Sequence, residues 1–158
     1  MSPKINAAWH LASRPAGLPT AGNFEWRETN RPELGEGQAQ VQTIWLSIDP
    51  TNRIWMNDAD SYLPKLQLGE VMRGIGIGRV LESRDAGLQA GDLVQGMLGW
   101  QRCCVSPARA LSKLPPLPLP LSAHFGLLGH IGLTAYFGLT DVAQARAGET
   151  LVVSAAAG

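Results

Sequence analysis

The end of the sequence carries residues that could hold a dinucleotide. Thr150-Leu151-Val152-Val153 is a short, β-branched and apolar run, which predicts a strand buried on both faces of a parallel sheet. Ser154-Ala155-Ala156-Ala157-Gly158 follows it without a bulky side chain. Small residues after such a strand let the backbone approach a pyrophosphate closely. An ordinary buried strand and turn show the same pattern, so this segment by itself leaves both interpretations open.

A second glycine-rich stretch does not fit a phosphate-binding loop. In Gly74-Ile75-Gly76-Ile77-Gly78 the third motif glycine would fall at Arg79, and no helical pattern follows. The favoured interpretation is that these glycines permit strand bending or close backbone packing.

The cysteines and histidines are poorly placed for zinc chemistry. A catalytic zinc needs about three protein ligands. Cys103 and Cys104 are neighbours that face opposite sides of a strand, and His10, His124 and His130 are scattered. We therefore predict no metal site, and we interpret the two cysteines as core or surface thiols.

Composition narrows the class of protein. With 158 residues the chain can bury one sizeable core, but two complete domains are not expected. The formal net charge is zero, so nothing indicates a nucleic-acid surface. We see neither a secretory signal nor a membrane-spanning run, and two adjacent cysteines give no disulfide framework. We expect a cytoplasmic protein that binds neither nucleic acid nor membrane.

Eighteen glycines and eleven prolines favour a turn-rich β domain. Many short strands with such turns predict an antiparallel barrel or sandwich. The predicted strands are Ile5 to Leu11, Phe24 to Glu28, Gln38 to Ile48, Glu70 to Glu82, Leu93 to Met97, Trp100 to Val105 and Ala110 to Leu114.

The last part of the chain predicts a linker, a helix and a strand. Residues 115–120 are proline-rich and extended. Leu133, Tyr136 and Phe137 share one helical face, in a segment apolar enough to be packed rather than solvated. Ala147-Gly148-Glu149 supplies a break before the predicted strand.

Several motifs stand in a fixed order: LASRPAGLP, LSIDP, GEVMRGIGIGRV, AGDLVQGMLGW, KLPPLPLPLS, GLTAYFGL and AGETLVVSAAAG. This order resembles the medium-chain dehydrogenase/reductase superfamily. More narrowly it resembles the zinc-free, NADPH-dependent alkenal and prostaglandin (leukotriene B4 dehydrogenase-like) reductases.

The resemblance implies a mainly β fold: a GroES-like antiparallel barrel with short helices over residues 1–125. A connecting helix and the first strand of a truncated Rossmann domain follow over 126–158. Zinc-dependent relatives carry a cysteine at LSIDP and a Gly-His-Glu motif at LGEV, and this chain has neither.

The resemblance also implies where NADPH would lie. Residues 49–53 resemble a DPYMR segment beside the nicotinamide, and GHIGLT resembles GMPGLT, whose threonine can reach the carboxamide. Thr134 would be that threonine, although it could instead cap a helix start. His130 replaces a methionine and could instead be a packed residue. The predicted cofactor-binding residues are Pro50, Asn52, His130, Thr134, Ala157 and Gly158, and NADPH binding requires the Rossmann domain expected beyond them.

The predicted substrate-binding residues are Arg53, Tyr62, Met97, Leu98 and Trp100. Tyr62 and Trp100 offer flat apolar surface for an enone. Arg53 could hydrogen-bond a carbonyl, or alternatively pair with Asp49 or Asp58. Met97 could alternatively belong to the barrel core.

The resemblance implies an NAD(P)H-dependent oxidoreductase that reduces the C=C bond of α,β-unsaturated ketones and aldehydes by hydride transfer to the β-carbon. Hydrogen-bond donors rather than a metal would stabilise the carbonyl oxygen, and no catalytic residue is assigned. We expect this chain to be inactive alone, its substrate to be a small enone, and the full-length protein to be a homodimer. A zinc-free quinone oxidoreductase and a non-catalytic GroES-like binding module stay open as alternatives.

Overall fold

The computed structural model describes residues 5–59 and 61–154, and the chain forms two compact units, Met1–Pro116 and Leu117–Gly158. The division falls inside the proline-rich segment that the sequence predicts as a linker. The predicted domain boundary between residues 125 and 126 lies within the second unit and stays a prediction.

Short antiparallel strands build the first unit, as the glycine and proline content predicts. β1 and β2 form a two-stranded sheet, and the other strands form a sheet in the order β6-β3-β4-β5-β7. Both sheets are antiparallel throughout. The strands are β1 Ile5–Leu11, β2 Phe24–Asn30, β3 Gln38–Leu46, β4 Ile75–Ser83, β5 Leu93–Met97, β6 Cys103–Pro107 and β7 Ser112–Lys113.

The edge of β1 that does not face β2 forms backbone hydrogen bonds with residues 69–72 and 100–102. The amide of Trp9 donates to the carbonyl oxygen of Trp100 at 2.8 Å, and the amide of Met72 donates to that of Trp9 at 2.8 Å. The side chain of Asn6 adds two hydrogen bonds. Its Nδ2 donates to Gln101 Oε1 at 2.9 Å, and its Oδ1 accepts from the Cys103 amide at 2.9 Å. The predicted barrel is therefore present as two open sheets joined by bridges.

The glycines of β4 are required by close packing. A Cβ at Gly76 would lie 2.9 Å from Leu98 Cδ1, and one at Gly78 would lie 2.6 Å from the carbonyl oxygen of Gln42. A larger residue would force these neighbours apart in a close-packed interior. The predicted packing role is confirmed, and Ile75 to Gly78 lie in β4 rather than in a phosphate loop.

Two buried clusters stabilise the first unit. The first comprises Ala39, Val41, Val80, Leu88, Val94, Leu98, Cys104 and Ala108. The second comprises Leu11, Trp55, Met56, Leu66 and Met72, with Phe24, Leu63 and Trp100 packed against it.

The second unit is helical and exposes its apolar side chains. A 3-10 turn, Leu121–His124, precedes α2, His130–Phe137, which continues as a π-helix, Gly138–Val142. The predicted helix is confirmed, but the prediction that its apolar face is packed is wrong. Leu133, Tyr136 and Phe137 are 51%, 60% and 50% exposed, because no described residue of this unit covers them.

The predicted strand at Thr150 to Ser154 is absent from the structure, where residues 149–153 have no regular secondary structure. Leu151, Val152 and Val153 are 60%, 85% and 62% exposed. A parallel strand needs neighbours to complete its hydrogen bonds, and the described residues pair no strand with this segment. The predicted break before it is confirmed, since Gly148 turns the chain with φ 89°.

Candidate functional site

Helix α1, Pro50–Trp55, forms the segment predicted to lie beside the nicotinamide. Asp49 is its N-cap and Pro50 its first residue, where the missing N–H of proline costs nothing. Asn52 is 4% exposed, and its Oδ1 accepts from the Asp49 amide at 2.6 Å while its Nδ2 donates to the carbonyl oxygen of Arg73 at 3.0 Å. Asn52 therefore positions the helix, whereas Pro50 is exposed at its start.

Arg53 fixes the loop that follows β1. Its Nε donates to the carbonyl oxygen of Gly17 at 2.8 Å, and its Nη2 donates to that of Pro15 at 3.0 Å. The alternative in which Arg53 pairs with Asp49 or Asp58 is wrong, because Asp49 bonds to a serine hydroxyl and Asp58 pairs with other basic residues. The predicted substrate contact of Arg53 stays a prediction.

Tyr62 stands over α1 and is accessible. Its ring packs edge-on against Trp55 with centroids 6.3 Å apart, and its hydroxyl is hydrogen-bonded to that of Thr51. Tyr62 is 67% exposed, so its ring is accessible. Its predicted contact with an enone stays a prediction.

The stretch 97–100 divides between surface, core and cavity. Met97 is 46% exposed, so the interpretation of Met97 as a core residue is wrong. Leu98 is fully buried in the first cluster, which leaves no surface for the predicted substrate contact. Trp100 lines two apolar cavities of about 230 and 360 Å³. A Cβ at Gly74 would lie 2.7 Å from Trp100 Cδ1, so glycine there admits the indole.

An aromatic cluster around Trp100 was not predicted from the sequence. Trp9 and Trp26 are opposed across the β1–β2 ladder, with ring centroids 5.1 Å apart, and Phe24 lies 5.3 Å from Trp100. The alternating pattern of Phe24 to Glu28 was a signal for one face of a strand, but it did not show which residues of β1 lie opposite.

The turn before α2 is as tight as its glycines suggest. A Cβ at Gly132 would lie 2.6 Å from the carbonyl carbon of Leu127. Gly129 is the N-cap of α2, so the alternative role of Thr134 as a helix-start cap is wrong. The Thr134 hydroxyl donates to the carbonyl oxygen of His130 at 2.7 Å. His130 is exposed rather than packed. Both side chains are accessible, and their predicted cofactor contacts stay predictions.

Ala157 and Gly158, the remaining predicted cofactor contacts, lie outside the described residues. Between residues 5 and 154, leaving out position 60, no glycine-rich turn follows a paired strand at a helix start. The described residues therefore include no cradle for a pyrophosphate, and the predicted contacts to the nicotinamide end stay predictions.

Both cysteines are core thiols. Cys103 and Cys104 are 2% and 6% exposed, and neither forms a disulfide. Burial raises the pKa of Cys104 to about 12, with a smaller contribution from Cys103. Burial also raises the pKa of Cys103, although the positive charge of Arg31 opposes the rise. Both thiols are therefore protonated and poorly nucleophilic at neutral pH.

The described ranges contain neither a candidate metal centre nor a candidate membrane span. No three His, Cys, Asp or Glu side chains there lie close enough together to hold a metal ion. Among the helices of those ranges, none has the length and apolar character that crossing a membrane requires.

Comparison with known proteins places this antiparallel domain in a defined class. Residues 7–114 match the family described as the N-terminal domain of oxidoreductase, and the chain belongs to that family. Its relatives are the zinc-free medium-chain alkenal and prostaglandin reductases, so the resemblance predicted from the motifs and the GroES-like fold are confirmed.

Individual relatives show how much of a longer protein this chain represents. It is 45% identical to the NADPH-dependent curcumin reductase of Escherichia coli over 97% of this chain and 44% of that protein. It is 40% identical to the prostaglandin reductase 1 of Mus musculus over 96% of this chain and 45% of that protein. The crystal structure of CurA from Vibrio vulnificus in complex with NADPH superposes with a TM-score of 0.85 at 37% identity, over 96% of this chain and 45% of that one. The chain thus spans less than half the length of these relatives.

Proposed function

We propose that this chain is the substrate-side part of an NADPH-dependent oxidoreductase that reduces the C=C bond of α,β-unsaturated ketones and aldehydes. The observation that carries the proposal is the 45% identity to the curcumin reductase along 97% of the chain. The names of two further relatives describe the same kind of reaction. These relatives are prostaglandin reductase 1 and 2-alkenal reductase (NADP(+)-dependent).

The described residues support this proposal by the surfaces that they leave accessible. Bound NADPH would supply the hydride for the β-carbon of the substrate. In the first unit, Pro50 at the start of α1 would contact the cofactor. In the second unit, His130 and Thr134 of α2 are the proposed contacts. Tyr62, Met97 and Trp100 would align the enone, and alignment of two reactants is itself a large part of catalysis.

Asn52 has a supporting role in this proposal rather than a direct one. Its two bonds hold the capped turn from Asp49 and join it to the backbone at Arg73. An enone aligned over Tyr62 and α1 would depend on that turn for its position. Substitution of Asn52 is therefore expected to weaken catalysis through the placement of Pro50 and Tyr62.

The test is NADPH oxidation by the product of the complete gene. We expect absorbance at the NADPH band to fall when a linear enone is added, with saturated ketone formed in equal amount, and the chain of 158 residues alone to be inactive. Oxidation with benzoquinone but not with the enone would replace the proposal with the quinone oxidoreductase. Oxidation with neither would leave the non-catalytic binding module.

The proposal includes a cytoplasmic location and a homodimer of the complete protein. The dimer is supported by the apolar surface of the second unit, where Ile131 and Leu133 are 50% and 51% exposed. Light scattering on the complete gene product tests it, and a monomer at micromolar concentration would contradict it.

A further inference from the structure

A groove follows one face of the β1–β2 sheet. Trp9 of β1 lies opposite Trp26 of β2. Ala7, two residues before Trp9, lies opposite Glu28, two residues after Trp26. Because side chains alternate across a strand, these two pairs share a face. We call the depression along this face the β1–β2 groove.

Three cavities make up the β1–β2 groove. Their volumes are about 230, 360 and 380 Å³. The first two share Trp9 and Trp100, and the second and third share Arg102. The groove is therefore continuous in its lining, and its two larger parts are of the size that small ligands occupy.

One end of the groove is apolar and aromatic. Trp9 and Trp26 are 42% and 40% exposed, which is high for such large side chains beside a folded sheet. Leu46, Ile48 and Trp100 complete this part of the lining. An accessible cleft with three indoles is suited to a flat, π-rich molecule, because indoles stack or pack edge-on with aromatic rings.

The other end is basic. Arg102 lies 5.6 Å from the centre of the Trp26 ring, and in the described part of the chain its guanidinium forms no ion pair. Arg31 lines the same cavity, and its Nε is buried without a hydrogen-bond partner. Its Nη1 has one weak bond, to Gln40 Oε1 at 3.3 Å. Glu28 is the carboxylate of this lining, so the cavity keeps a net positive charge.

An unpartnered buried donor is costly, and two unpaired guanidiniums at one end of an apolar cleft select an anion. Arginine suits a carboxylate in particular, since its planar fork matches the two oxygens. The polarity changes along the groove, from indoles to guanidiniums. A matching ligand has an apolar body and one terminal anionic group.

We propose that the β1–β2 groove binds a small amphipathic carboxylate, with its π-rich body against Trp9 and Trp26 and its carboxylate on Arg31 and Arg102. The groove shares Trp100 with the proposed enone site, whereas Tyr62 and Met97 line none of its three cavities. Its arginine end is additional to that site, and binding there does not require NADPH.

Calorimetric titration of the purified chain with phenylbutyrate and with phenylbutanol tests the proposal. The two probes share an aromatic body and differ in charge. We expect the carboxylate to bind at least about tenfold more tightly than the alcohol, as hydrogen bonds to charged groups predict. Its affinity should fall as salt is added. Equal affinities, or no heat with either probe up to about 10 mM, would overturn the proposal.

Three variants locate the site. Arg102→Gln and Arg31→Gln should each remove most of the preference for the carboxylate and leave phenylbutanol binding unchanged. Glu28→Gln should tighten phenylbutyrate binding, because it removes the opposing charge. Arg146→Gln in the second unit is the matched control and should change nothing.

Thermal melting checks that each variant is folded. If an arginine variant does not fold, Glu28→Gln decides, since it leaves both guanidiniums in place. Unchanged phenylbutyrate affinity in the folded arginine variants, or in Glu28→Gln, would contradict the assignment to this groove.

Discussion

The two units use similar apolar residues in opposite ways. In the first unit, Leu11, Met72 and Ile77 are fully buried, whereas in the second Leu133, Val142 and Val152 are 51%, 83% and 85% exposed. The same kind of side chain is buried only where a second layer of structure faces it. An apolar pattern in the sequence therefore indicates which face of a helix or strand needs to be covered. It does not show that this chain contains the surface that covers it.

The largest effect that separates the units is expected from core truncation. Leu11→Ala removes a fully buried side chain from the second cluster and should lower the free energy of unfolding by about 4 kcal/mol. Leu133→Ala should change it by less than about 0.5 kcal/mol. Urea unfolding followed by circular dichroism measures both. Equal losses of unfolding free energy in the two variants would show that α2 is packed in solution and would contradict the difference between the units.

The next effect concerns close packing within β4. Gly78→Ala places a Cβ 2.6 Å from the Gln42 carbonyl oxygen and should cost about 3 kcal/mol. Gly17→Ala is the control, since nothing lies within 4 Å of its added Cβ, and it should be neutral. All five tryptophans lie in the first unit, so their fluorescence reports its unfolding directly. A neutral Gly78→Ala would mean that β3 and β4 are less tightly packed than described.

A smaller effect is expected at the start of α1. Asn52→Ala removes the bonds to the Asp49 amide and the Arg73 carbonyl oxygen, and should lower the free energy of unfolding by about 1.5 kcal/mol. Asn30→Ala, at an exposed position of β2, is the control. Stability is read from urea midpoints, and a loss equal to that of the control would refute the positioning role.

The smallest effect depends on pH. The hydrogen bond from Lys113 Nζ, at 2.8 Å, and one from the Gln89 amide hold the pKa of Asp92 below its usual range. A lowered folded pKa means that this stabilisation is complete above about pH 4 and is lost as pH falls through the lowered value. Asp92→Asn should therefore lower the urea midpoint at pH 7. On acidification, the urea midpoint of this variant should fall less than that of the unsubstituted protein. Asp141→Asn in the second unit is the control, and parallel pH profiles for Asp92→Asn and the unsubstituted protein would contradict the prediction.

Much of the first unit follows from local pattern, because its strands alternate and its turns contain glycine or proline. The predicted bounds of Ile5–Leu11 and Leu93–Met97 are those of β1 and β5. Trp45 shows the limit. Alternation places Trp45 on the buried face of β3, but the register shifts between Thr43 and Trp45, and the indole is 48% exposed. A bulge of this kind leaves no trace in the alternation that precedes it.

The candidate site was less predictable than the fold. The capping arrangement of Asn52 with Asp49 could not be read from the sequence, and the predicted cofactor contact of Asn52 stays a prediction. Trp9 and Trp26 were missed because their contact depends on the pairing register of two strands separated by a long loop. The exposure of α2 could not be predicted either, since it depends on surfaces outside the described residues.

The first strand is secured by residues that are made much later. β1 bonds to Trp100 and Arg102, and Asn6 bonds to Gln101 and Cys103. During translation the amino-terminal segment therefore remains without these partners until the ribosome has released the chain beyond residue 103, and this long-range closure is expected to make folding slow. A chaperone that shields Ile5, Trp9 and the other early apolar side chains would be most useful in that interval.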